Sequence, residues 1–484
     1  MFQSLLRLTK HSAIYGIGHV LSRSVIIFLL PLHTNLISRQ EYGIATQLFA
    51  FLAIMAIVYS YGLNTAFLQF YLLEKNKRKR KEIFSTAFYA TATTSVIFSI
   101  SFLIFASFIS RVLFHSPEYA HLIRISVGIL SMDALLLLSF NVLRALEKSV
   151  NFVSINLVSV GINLFFNIYF VGWSKMGVTG IFYANLISSG VTLALLLPVT
   201  VNNLSFVFSK KKLIEMAQFA LPFIPSTVSI VLINVIDRFF ITKYMGLEAA
   251  GIYGAGYKLA MFMNLFITAF RFAWQPFFVS TAKQEDAKQV FSRVFTYFTL
   301  ICSILFLIFL MFVDQIVRLD LFGFTLFGKA FWDSTNIVPV IVLAYVFYGF
   351  YLNFLVGIYL KEKTKYLMYI NGVGAVVNIF GNILLIPVLK LMGAAYATLF
   401  SYFIMTLLIY FAAQRIYYIK YEFNRLFRVI FFTVIIYFIF HIFELQFATF
   451  IKIILIFVYL LFLYLSGFFE TQEIKKVKTI LKKI

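Results

Sequence analysis

Acidic residues are scarce in this chain of 484 residues. Asp and Glu number 19 against 41 Lys and Arg, a formal net charge of +22, and charged residues of both signs make up only 12% of the total. Soluble domains are about a quarter charged and roughly half apolar, so a chain that is 62% hydrophobic and 19% aromatic falls outside that class. In a soluble protein the basic excess would point to nucleic acid. Here the basic residues lie between hydrophobic runs, and nucleic-acid binding is not the reading. The single cysteine, Cys302, excludes an internal disulfide. The histidines show no cluster at metal spacing, and His33 reads as a packing residue. No nucleophile has a base partner nearby, so the marks of an enzyme are missing. Gly323 to Ala330 has phosphate-loop spacing, but Ala330 stands where a Ser or Thr would hold magnesium, and no strand precedes it. The opening MFQSLLRLTKHSAIYG runs into a full-length span without a small-residue cleavage site, so no cleaved signal is expected.

What is present is hydrophobic length. A transmembrane helix needs about 20 apolar residues. Such runs lie near 13–35, 44–71, 84–110, 121–143, 152–172, 178–200, 216–242, 252–280, 294–313, 335–360, 366–388, 393–414, 429–443 and 447–468. The expectation is an all-α polytopic membrane protein of about 14 spans. With the N-terminus inside, every inner segment is basic: Arg7 and Lys10, the run Lys75 to Lys81, Arg144 and Lys148, Lys210 to Lys212, Lys283 to Arg293, Lys361 to Lys365, Arg415 to Arg428, and the tail from Lys475. The outer loops hold only scattered cations such as Arg39, Lys243 and Lys390. This alternation predicts both termini on the cytoplasmic side. The run at 75–81 reads as a topology determinant beside anionic headgroups.

The chain also repeats itself. Thr34, Gly43 and Ile44 recur at the same spacing as Thr242, Gly251 and Ile252, and Asn163 and Asn167 recur as Asn378 and Asn382. Gly180, Tyr183, Ala184, Leu186 and Ser188 return as Gly393, Tyr396, Ala397, Leu399 and Ser401. Six spans separate the copies, so both run in one direction, and a parallel repeat implies a pseudo-twofold axis along the membrane normal with a cavity between two lobes. The predicted division is an N-terminal six-helix lobe over 1–205, a C-terminal six-helix lobe over 206–415 and an additional helix pair with a basic tail over 416–484.

The stretch from Phe219 to Phe278 carries ionisable residues inside two long apolar runs. Its Pro222 and Pro225, then Asn234, Asp237 and Arg238, the turn Gly246 to Gly251 and the run Tyr253 to Lys258 resemble the polysaccharide flippases of the multidrug, oligosaccharidyl-lipid and polysaccharide exporter superfamily. Tyr15-Gly16 through Pro31 and the turn Glu41-Tyr42-Gly43 are similar to the first-helix region of that family. The resemblance implies a MATE-like fold, and movement of undecaprenyl-diphosphate-linked oligosaccharide from the inner to the outer face of a bacterial inner membrane by alternating access.

Ionisable groups at bilayer depth are functional candidates because leaving them unpaired in hydrocarbon is costly. Arg23 falls mid-span, and its planar fork suits phosphate. Arg271, Arg238, Lys258 and Asn234 are the further candidates for cargo binding, with Arg238 alternatively paired to Asp237 and Lys258 alternatively snorkelling. Asp237 and Asp133 are candidates for ion coupling or for counter-ions. Pro222, Pro225, Gly254 and Gly256 are candidates for helix bending, or for close packing. The paired asparagines read as interhelical glue. The superfamily's drug exporters commonly carry an acid in the first helix; Arg23 in its place favours an anionic cargo. No cofactor and no metal are expected, with coupling to an H+ or Na+ gradient open. The chain is expected to work as a monomer alongside polymerase and glycosyltransferases of the same pathway. Lipid II flippase, ion-coupled multidrug antiporter and, in another class, membrane glycan polymerase or ligase are the alternatives.

Overall fold

The computed structural model describes residues 29–321, 324–442, 449–470 and 473. Most of the first predicted span, Arg23 included, lies outside them, as does Gly323. Eleven helices among the described residues are long and apolar enough to cross a membrane. They are α2 (Arg39–Ser60), α4 (Lys77–Ile104), α6 (Ala120–Ala145), α7 (Ser149–Asn167) with the π turn Ile168–Trp173, α8 (Gly177–Asn203), α9 (Lys210–Ala220) running into α10 (Ile224–Met245), α12 (Ala287–Arg318), α13 (Val338–Leu360), α14 (Lys365–Leu389), α15 (Leu391–Ile416) and α16 (Phe423–Ile442). α1 is the end of the first span, 29–36. α11 (Leu247–Thr281) has 35 residues but is diluted by Glu248, Lys258 and Arg271, and α17 (Thr449–Leu465) is apolar with 17 residues. The chain is a multi-pass membrane protein.

Two predicted spans differ in detail. The run at 44–71 is broken: α2 ends where Tyr61 (φ 31°) and Gly62 (φ 75°) are both left-handed, and α3 (Leu63–Leu73) begins afresh. A glycine beyond a helix end is the usual signal for such a stop. The run at 84–110 divides at Phe105 into α4 and α5 (Ala106–Phe114). α4 also starts earlier than expected, because the Asn76 side chain accepts from the N–H groups of Arg78 (2.8 Å) and Lys79 (3.4 Å) and draws Lys77 to Lys81 into its first turns. Just before that turn the partly exposed Glu74 carboxyl is held below its ordinary range by the backbone N–H of Asn76.

α6 packs between α4 and α8, and α13 between α11 and α15, so each half forms its own lobe; α16 and α17 lie against α12. Helix ends alternate between a basic end, where the lysine-rich connections gather, and an opposite end. The lobes meet at the opposite end, where α2 crosses α11. Gly43 lies against the Leu247 carbonyl and Gly251 against the Arg39 carbonyl, each four residues before the other glycine. These are the glycines that the internal repeat pairs, so the crossing sits on the pseudo-twofold axis. Backbones approach this closely only where side chains are absent. The Thr242 hydroxyl donates to Gln47 Oε1 (3.1 Å) one turn further in.

Candidate functional site

Sealed at one end, the lobes part toward the other. A cavity of about 1820 Å³ occupies the basic half between them, lined by residues of α3, α6 and α7 on one side and of α9 to α11, α13 and α14 on the other. Among the described residues, four of its lining side chains are cations, Arg144, Arg271, Lys283 and Lys365, and none is Asp or Glu. Arg144, Lys283 and Lys365 stand at helix ends around the mouth, whereas Arg271 is inside on α11. Its guanidinium is exposed and lies 5.8 Å from the Phe272 ring, and among the described residues it has no ion pair. Beyond Arg271 the wall is aromatic and amide. Tyr348 and Tyr351 stack (6.1 Å, 12°), the Tyr351 hydroxyl donates to Asn371 Oδ1 (2.9 Å), and Asn371 Nδ2 donates to the Ser226 hydroxyl (2.8 Å).

The other candidates are placed elsewhere. Arg238 and Asp237 are buried in the C-terminal lobe and do not line the cavity. Arg238 Nη1 binds Asp237 Oδ1 (2.5 Å) and the Asn234 carbonyl, and its guanidinium sits 4.0 Å from the Tyr257 ring centre. The Tyr253 hydroxyl donates to Asp237 Oδ2 (2.6 Å), while Tyr257 and Tyr402 both donate to Asn234 Oδ1 (3.2 and 3.1 Å). Asn234, Asp237 and Arg238 do share one helical face, but that face meets α11 and α15. Lys258 projects over the Tyr42 ring of the other lobe at 4.8 Å. Asp133 accepts from the Ser189 hydroxyl (2.7 Å) within the N-terminal lobe.

A buried ion pair holds its lobe together chiefly through the cost of orphaning one partner, about 3–5 kcal/mol. Asp237→Ala is expected to lower the melting temperature of the purified protein markedly, and Asp237→Ala with Arg238→Met to recover most of that loss. A single variant that melts with the parent would remove the pair from the stabilising contacts.

The prolines and glycines divide in the same way. Pro222 falls in a 3-10 turn, Leu221–Phe223, between α9 and α10, and lines the cavity; Pro225 lies in the first turn of α10. Gly254 packs on Thr46 of the other lobe and Gly256 on the Ser334 carbonyl and Ile337. The repeated asparagines adopt one geometry in both halves: Asn167 Nδ2 and Asn382 Nδ2 each donate to the carbonyl (2.8 Å) and the Oδ1 (3.0 Å) of the asparagine four residues before. Among the described residues a histidine joins only in the first half, His33 Nε2 lying 2.9 Å from Asn167 Oδ1. Arg144, Lys283 and Lys365, read from sequence as topology cations, also line the cavity, and no local signal sets them apart from other basic-end residues. Tyr351 and Asn371 are polar groups within spans, a signal that the sequence does carry.

Two lobes on a pseudo-twofold axis, sealed at one end and parted around a cationic cavity at the other, define a membrane transporter fold. Residues 34–334 match the family described as Polysaccharide biosynthesis protein, and the chain belongs to that family. No curated protein matches the sequence. Among solved structures it is similar to the lipid II flippase MurJ in an inward closed conformation, with 15% identity and a TM-score of 0.77 over 94% of this chain and 98% of that one. It is also similar to an inward-facing multidrug resistance MATE family transporter of the MOP superfamily, at 12% identity and TM-score 0.67 over 83% and 97%. A third likeness is to a MOP superfamily transporter from Pyrococcus furiosus described by the reverse polarity of its binding pocket, at 13% identity and TM-score 0.60 over 85% and 94%. At these identities the likenesses show the fold.

Proposed function

We propose that this protein flips an anionic lipid-linked oligosaccharide, of the undecaprenyl-diphosphate class, across a bacterial inner membrane by alternating access. The observation that carries this reading is the cavity lining, four cations with no acid among the described residues. A cationic drug would meet repulsion there, whereas a diphosphate finds in Arg271 a forked donor without a carboxylate competing for it. Sugar hydroxyls suit the Tyr348, Tyr351, Asn371 and Ser226 wall, where flat rings and amides supply stacking and hydrogen bonds. Family membership favours a polysaccharide precursor over lipid II, although the cavity chemistry serves both. If the basic end is cytoplasmic, as the positive-inside rule indicates, the fold here is the state that admits cargo from inside. Asp237 is then a counter-ion for Arg238. The protein acts as a transporter without chemical catalysis and as a monomer, and any coupling to an H+ or Na+ gradient that uses a carboxylate would draw on a group outside the described lining of this cavity.

The test is transfer in proteoliposomes holding the full chain, with three cargoes: a polyprenyl-diphosphate oligosaccharide, lipid II and an organic cation. The expected result is transfer of the first and none of the third. Export of the organic cation against an ion gradient, with no lipid transfer, would replace this reading with a drug antiporter.

A further inference from the structure

The connection between α12 and α13 is long and does not stay with its own lobe. It contains a two-residue hairpin, β1 (Asp320–Leu321) with β2 (Phe324–Thr325), and a 3-10 run, Lys329–Ile337. The equivalent connection of the first repeat, between α5 and α6, spans only 115–119. The longer one is braced at its base: Leu326 N–H donates to the Leu319 carbonyl (2.7 Å), Trp332 Nε1 to the Phe327 carbonyl (2.9 Å), and Arg318 lies 4.8 Å from the Trp332 ring. Its second part, from Thr325 to Asp333, then reaches across the seam. Asn35 Nδ2 donates to the Thr325 carbonyl (2.8 Å), the Thr325 hydroxyl to Asn35 Oδ1 (3.1 Å), and Gly328 N–H to the Thr34 hydroxyl (3.0 Å). Arg39 pairs with Asp333 (3.1 Å) and donates to the Ala330 carbonyl, and Phe331 meets the Tyr42 ring edge-on at 5.2 Å. Every partner on the N-terminal side falls within residues 34–42, the end of α1 and the start of α2. Gly328 is tight against the Thr34 carbonyl, so no side chain fits there.

We propose that residues 325–333 form a releasable clasp of the C-terminal lobe on residues 34–42 of the N-terminal lobe, which holds the opposite end shut and must let go before cargo leaves there. This rests on the alternating-access reading above. The contacts are of two kinds: hydrogen bonds with a rim ion pair, Arg39 35% and Asp333 70% exposed, which water replaces at modest cost, and one buried ring contact, Phe331 on Tyr42, which has to be exposed when the clasp opens.

The experiment introduces Asn35→Cys with Thr325→Cys into the full chain; Cys302 is fully buried and stays. Once oxidised in proteoliposomes, the pair is expected to reduce transfer of the polyprenyl-diphosphate oligosaccharide at least ten-fold, with recovery on reduction. A complete cross-link that leaves transfer unchanged overturns the clasp. A second arm needs no cargo. With Thr46→Cys as a probe in the seam, labelling by an impermeant maleimide at the sealed end is expected to rise about five-fold in Arg39→Ala. A larger rise is expected in Gly328→Ala, whose methyl would meet the Thr34 carbonyl. Unchanged labelling in both variants, with the parent's elution and melting, overturns the clasp whatever the cargo. The expected labelling with no lipid transfer by any form counts against the cargo reading alone.

Discussion

Arg271→Ala is expected to lower transfer of a diphosphate-linked oligosaccharide by about 10- to 100-fold, the factor that matches loss of a charge-assisted hydrogen bond of about 1.5–3 kcal/mol. Of the four cavity cations, three ring the mouth, where water and salt screen them and where each has the others as substitutes. Arg271 stands inside, flanked by Phe272, ten residues before the end of α11, and among the described residues the other three lining cations are at helix ends. The guanidinium is exposed and unpaired among the described residues, so its removal is not expected to disturb folding. Arg271→Lys keeps the charge and loses the fork, and an intermediate rate is expected. Transfer by the alanine variant at the parent rate, with equal amounts correctly inserted, would move the diphosphate site away from this residue.

Gly251→Leu is expected to abolish transfer by another route. A side chain at Gly251 points at the Arg39 carbonyl, and one at Gly43 at the Leu247 carbonyl, so neither obstacle is a flexible group that swings aside. The two helices must separate, and with them goes the seal at that end. The variant is expected to fold, to be accessible to impermeant thiol reagents at the seam, and to fail to cycle; Gly43→Leu, its mate across the pseudo-twofold axis, is expected to behave alike. Gly372, where an added side-chain carbon would meet nothing within 4 Å, is the control. Gly372→Ala is expected to leave transfer unaltered and to stabilise its helix by about 1 kcal/mol. A sealed and active Gly251→Leu protein would show that this crossing is not the gate.

Much of the site is legible in the chain, but unevenly. Arg271 and Arg238 look alike in sequence, each an arginine inside an apolar run. One faces the cavity, and the other is consumed by the carboxylate beside it and by Tyr257 of the next helix. The run at Lys75 to Lys81 and the lysines at Lys283 and Lys365 also look alike, yet only the last two border the space between the lobes. The phosphate-loop look-alike around Gly328 lacks the hydroxyl residue that a nucleotide site needs, and its glycine is instead a point of contact between lobes.

By itself the sequence determined the membrane class, the positions of most spans, the parallel repeat and the pairing of Gly43 with Gly251. All four follow from one-dimensional quantities, because hydrocarbon thickness sets segment length and a repeat preserves spacing. Only the tertiary structure decided which charges are spent on each other and which remain for a cargo, where the lobes touch, and that the α12–α13 connection crosses to the other lobe. Those outcomes depend on which distant helix lies beside each side chain. A buried charge is neutralised by whatever neighbour packing supplies, and sequence spacing does not encode that neighbour.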